Sequence, residues 1–102
     1  MWYSLIDKKA VPVATGEESN WLCLSIEERR VAFTELQNGF RVSTVFVGLD
    51  HGLAAHGPPL VFETIVFHAD SMLDEDCKRY STWKDAEAGH AAMVEKWKAM
   101  TC

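Results

Sequence analysis

The sequence predicts an α+β domain: a small antiparallel sheet with a carboxyl-terminal helix packed across one face. Three observations carry this reading. Residues 41–69 hold only Arg41, Asp50 and Glu63 as charged side chains in a chain of which 25% is charged, so they read as core strands. An Asn38-Gly39 pair divides two strand-like runs, and this pair favours hairpins because both residues tolerate positive φ. From Ser81 onward, Trp83, Ala86, His90, Met93, Trp97 and Met100 recur at the three- and four-residue steps that line one helix face.

Taken in order, Trp2–Ile6 and Val11–Thr15 flank Asp7-Lys8-Lys9-Ala10, a connection of hairpin length, and Pro12 restricts the second run to an edge. Glu17 and Glu18 precede Trp21 and Leu24, and paired acids suit the positive end of a helix dipole, so a short helix is expected over 17–27. Three central strands follow: Arg30–Leu36, Arg41–Leu49 and Leu60–His68, the last two joined by a long loop that carries His51 and His56. The third strand is apolar on both faces, with Leu60, Phe62 and Val66 alternating with Val61, Ile65 and Phe67. One amphipathic helix cannot cover such a sheet alone, so the amino-terminal segment or a second subunit must cover the other face. Thr82 is placed to cap the final helix, with Asp85 and Glu87 near its start and Lys96 and Lys98 near its end, the charge order that the dipole favours.

With 102 residues, 48% of them hydrophobic, the chain is sized for a single domain spanning 1–102, and rods, tandem domains and disordered tails are excluded by composition. The formal charge of −5 and the lack of a basic stripe argue against direct nucleic-acid binding. Cys23, Cys77 and Cys102 are odd in number and far from any CxxC spacing, which reads as free thiols in a reducing compartment. No apolar run of membrane-spanning length and no signal-peptide order are present, so no membrane association and a cytoplasmic location are expected.

Several strings act together: Arg-Val-Ser-Thr-Val-Phe-Val-Gly-Leu-Asp-His at 41–51, Gly-Pro-Pro-Leu-Val-Phe-Glu-Thr-Ile-Val-Phe at 57–67, Arg-Tyr-Ser-Thr-Trp at 79–83 and Glu-Ala-Gly-His at 87–90. Over roughly residues 28–97 the chain resembles a family of short proteins encoded by bacteriophages and prophages. The resemblance implies a setting inside a bacterial host cell and carries no assigned activity. The loop Leu53-Ala54-Ala55-His56 departs from the glycine-rich stretch that such relatives tend to have, which weakens any role for His56.

Asp50, His51, His56, Glu63, His68 and His90 form the one set that could support metal binding or acid–base chemistry, because both need imidazoles beside carboxylates. Their spacing matches no metal motif, so no metal and no cofactor is expected. Glu63, set among apolar strand residues, needs a partner, with Arg41, Arg30, His51 and His90 as candidates, and reads first as a structural pair. His90 falls on the apolar helix stripe and reads as a core histidine with one satisfied nitrogen. Gly89 beside it is costly in a helix and implies a close approach to the sheet. Gly48, Gly52 and Gly57 lack the helix start and lysine of a phosphate loop. Asp70, Asp74, Glu75 and Asp76 read as a solvated acidic loop or, more sharply, as a surface for a basic protein partner.

The expected function is that of a non-enzymatic phage or prophage accessory protein that binds a host protein or complex, in its sharpest form an inhibitor of a bacterial defence system of the CRISPR type. The competing class is a small metal-dependent or acid–base hydrolase that uses Asp50, His51, Glu63 and His68. A homodimer is expected from the doubly apolar sheet.

Overall fold

The computed structural model describes residues 2–14, 17–50, 58–71 and 73–99. Its α+β architecture joins a two-stranded hairpin, a four-stranded antiparallel sheet and one long helix. In the hairpin, β1 (Tyr3–Ile6) pairs with β2 (Lys9–Pro12). The connection is tighter than four residues. Asp7 (φ 50°) and Lys8 (φ 65°) alone make the turn, both in the left-handed region as a type I′ turn requires, and Lys9 and Ala10 already belong to the strand.

The short helix expected over 17–27 is instead two separate single turns. A 3-10 turn over Asn20–Cys23 ends at Leu24, whose extended backbone (ψ 136°) stops it. Ser25 then caps α1 (Ile26–Arg29) through a reciprocal box with Glu28, each bond 3.1 Å long. Asn20 clamps the hairpin to this segment by accepting from Leu5 N–H (2.9 Å) and donating to Leu5 C=O (2.8 Å).

The main sheet is a meander of β3 (Arg30–Glu35), β4 (Phe40–Phe46), β5 (Phe62–His68) and β6 (Asp74–Tyr80). The turn between β3 and β4 lies at Asn38-Gly39, but only Gly39 takes a positive φ (91°), so this is the longer hairpin loop that closes on a left-handed glycine. The acidic run read as a solvated loop is for the most part β6, an edge strand in register with β5 through Phe62↔Tyr80, Glu63↔Arg79 and Ile65↔Cys77.

Helix α2 (Trp83–Lys98), capped by Thr82, lies across the sheet and buries Ala86, His90 and Met93 against it, with Trp83 and Trp97 half-buried. On that face Val42, Thr44 and Phe46 of β4 and Phe62, Thr64 and Val66 of β5 are fully enclosed. They form two apolar clusters. One joins Phe46, Val61, Phe62, Tyr80 and Ala86 to Tyr3 of the hairpin, and the other joins Val42 and Val66 to Met93. The hairpin thus packs on the same side as α2, at the end of the sheet. The opposite face stays in contact with solvent: Phe33 is 40% exposed, and Ser43, Val45, Ile65 and Phe67 are half-buried.

Candidate functional site

The polar groups that the fold buries lie between the two apolar clusters. Thr44 and Thr64, cross-strand partners on β4 and β5, share a hydrogen bond of 2.6 Å, and Thr44 Oγ1 lies 2.7 Å from His90 Nδ1. His90 Nε2 lies 2.9 Å from Thr34 Oγ1 on β3. Both imidazole nitrogens are therefore satisfied, one more than the sequence suggests for a core histidine. Either neutral tautomer fits this chain, because hydroxyls donate or accept as needed. Burial holds the His90 imidazole below its ordinary value and favours the neutral form. With hydroxyl partners at both nitrogens, the arrangement fixes the helix over the sheet and offers no carboxylate to polarise the ring.

Glu63 finds a partner that none of the four candidates anticipated. Arg79, directly opposite on β6, places Nε 2.7 Å from Glu63 Oε2, and Cys77 Sγ approaches the same oxygen at 3.5 Å. Partial desolvation and the adjacent Glu63 carboxylate push the thiol of the exposed Cys77 above its usual range, which keeps it protonated and slow as a nucleophile. Asp76 is likewise committed. Its Oδ2 accepts from Lys96 Nζ (2.8 Å) and Trp97 Nε1 (3.0 Å), bonds that hold the carboxyl below the usual aspartate value and tie β6 to α2. Between β6 and α2 an open groove of about 250 Å³ is lined by Lys78, Tyr80, Gly89 and Met93, among others, and its acid Asp76 and cation Lys96 are paired with each other.

The remaining members of the proposed chemical set do not come together. Glu63 and His68 stand five residues apart on β5, so they project to opposite faces, His68 towards the helix side. His68 pairs with Phe40 at one end of β4, whereas Asp50 follows Leu49 beyond the other end, about 20 Å away along the strand. The His68 ring meets Phe40 edge-on at 5.1 Å, and its Nδ1 accepts from Asp70 N–H at 3.2 Å. His51 and His56 lie outside the described residues. Among the described residues no group of three or more His, Cys, Asp or Glu is placed to hold a metal ion. Likewise, no described helix is long and apolar enough to cross a membrane.

Of the acidic quartet, Asp70, Asp74 and Glu75 are exposed, while Asp76 is half-buried in its bonds to α2. Leu73, beside them, is the most exposed large hydrophobic residue among those described, at 75%. The three threonines are the polar residues that sequence reasoning missed. The available signal was their period-two placement among apolar neighbours on adjacent strands, with a histidine on the facing helix stripe. No family model matches the chain, and no curated protein or solved structure shows significant similarity to it.

Proposed function

We propose that the protein is a non-enzymatic accessory factor of phage or prophage origin that acts by binding a protein of its bacterial host, in its specific form as an inhibitor of a host defence complex such as a CRISPR effector. The observation that supports binding is Leu73, an exposed apolar side chain close in sequence to the exposed carboxylates of Asp70, Asp74 and Glu75. An apolar anchor near charges of one sign suits a basic protein surface with an apolar socket, where the charges steer the encounter and the anchor supplies the buried area. Asp76 drops out of the contact set because its carboxylate is spent on Lys96 and Trp97. The phage setting and the defence target rest on the sequence resemblance alone.

The experiment is affinity capture from host lysate with the wild-type protein and with Leu73→Lys and Asp70→Lys/Glu75→Lys variants. A protein captured by the wild type and lost from both variants, with melting temperatures unchanged, is the expected result. Capture that survives both changes would remove this surface from the reading. The hydrolase alternative on Asp50, His51, Glu63 and His68 has no observation in its favour among the described residues, since Asp50, Glu63 and His68 lie apart.

A further inference from the structure

The open face of the sheet carries its charges in an order that a second copy of the same chain can meet. Strand register sets a middle row across the four strands: Phe33, Ser43, Ile65 and Cys77. On one side of this row lie Arg30 and Arg79 at the corners, with Glu63 between them paired to Arg79. On the other lie Glu35 and Asp74 at the corners, with Arg41 between them paired to Glu35, so one side keeps a net positive charge and the other a net negative one. Arg30 lies on this face, its guanidinium 5.0 Å from the Phe33 ring centroid, and Asp74 borders the same depression as Ser43, Ile65 and Phe67. Both cationic corners thus sit at one end of the strands and both anionic corners at the other.

We infer that this face is a homodimer interface whose two-fold axis runs along the middle row, at right angles to the strands. Such an axis turns one sheet over onto the other, so that each middle-row side chain meets its own copy and the two outer rows exchange places. Arg30 then faces Glu35 of the second copy, and Arg79 faces its Asp74. An axis along the strands would instead set Arg30 on Arg79 and Glu35 on Asp74, two like-charge encounters. The charge order therefore selects one packing, an aligned sandwich with Phe33 and Ile65 in its central row. Four strands about 4.8 Å apart, one of six residues and three of seven at about 3.3 Å each, cover roughly 430 Å² in projection. That lies below the ~800 Å² per partner of a standard interface, so the dimer is weak and concentration-dependent.

The test is sedimentation equilibrium from low micromolar to near-millimolar protein. The wild type should rise from the monomer mass towards twice that mass. Arg30→Glu and Glu35→Arg should each remain monomeric, because each places like charges across the axis, whereas an equimolar mixture of the two should dimerise again. Two variants that are monomeric apart and still monomeric when mixed would overturn the axis, and a wild type that stays monomeric throughout would overturn the interface. Should either variant fail to fold, cross-linking decides. In a Cys23→Ser/Cys102→Ser background, under conditions in which a monofunctional maleimide labels Cys77 fully, a short bismaleimide should join Cys77 to Cys77, and the absence of that product at the highest concentration would overturn the inference. Host-protein capture by a strictly monomeric protein would sink this inference and leave the proposed function standing.

Discussion

At the scale of single residues, His90 couples stability to pH. Burial lowers its folded value, so as pH falls below about 6.5 the unfolded chain takes up a proton that the folded one refuses. The stabilisation is complete above that value and is lost progressively as pH falls towards the lower folded value. Urea midpoints at about pH 7.5 and about pH 5 should therefore differ in the wild type and differ less in His90→Gln, whose amide can bond both threonines. An equal drop in both proteins would assign the effect to another group. Asp76, whose value is lowered by Lys96 and then Trp97, loses its contribution only at lower pH, in the carboxylate range. Gly89 makes the close approach that its presence in a helix suggests: a Cβ there would stand 2.2 Å from Cε1, Cζ and Oη of Tyr80. Gly89→Ala should lower the thermal midpoint by the equivalent of about 1–3 kcal/mol despite the gain of about 1 kcal/mol in helix propensity. Tyr80→Phe should leave the midpoint level or raise it, since Tyr80 Oη is buried without a hydrogen-bond partner.

At the scale of elements, α2 is anchored at its far end by Trp97, whose ring lies 4.8 Å from Phe40 and whose Nε1 bonds Asp76. Because Trp97 is only half-buried, Trp97→Ala should cost about 2–3 kcal/mol by chemical denaturation, less than the ~3–5 typical of a fully enclosed ring. A midpoint equal to wild type would refute that anchoring. This helix was legible in the sequence because apolar period, cap and charge order agree, and β4 and β5 were legible because charge is scarce along them. β6 was hidden for a physical reason. Its helix-side residues are Asp76, Lys78 and Tyr80, so a half-buried acid paired with Lys96 and Trp97 stands where an apolar residue would have shown the alternation. The missed strand also concealed the partner of Glu63, because Arg79 becomes its neighbour only once the register is set. The segment around Trp21 looked helical by its acids alone, yet Ser19 and Ser25 each start a separate cap, which sequence spacing does not distinguish from one longer helix.

At the scale of the whole molecule, the doubly apolar third strand foretold a sheet with more apolar surface than its own chain covers, and the hairpin's position beside α2 leaves one face to solvent. A chelator should leave the melting temperature unchanged, and elemental analysis should find no stoichiometric zinc or manganese; one tightly held ion per chain would revive the metal-enzyme reading. The order of elements along the chain also bears on how the molecule is made. Each strand of the sheet pairs with the one just before it, and α2 follows them all. At about 5–20 residues per second, a translating ribosome delivers Tyr80 about one to a few seconds before Met93. For that interval Val42, Phe46, Phe62 and Val66 have no helix above them, so the nascent sheet shows apolar side chains on both sides. Translation paused with Tyr80 just outside the exit tunnel and α2 still within it would hold out the form of this chain most in need of a chaperone.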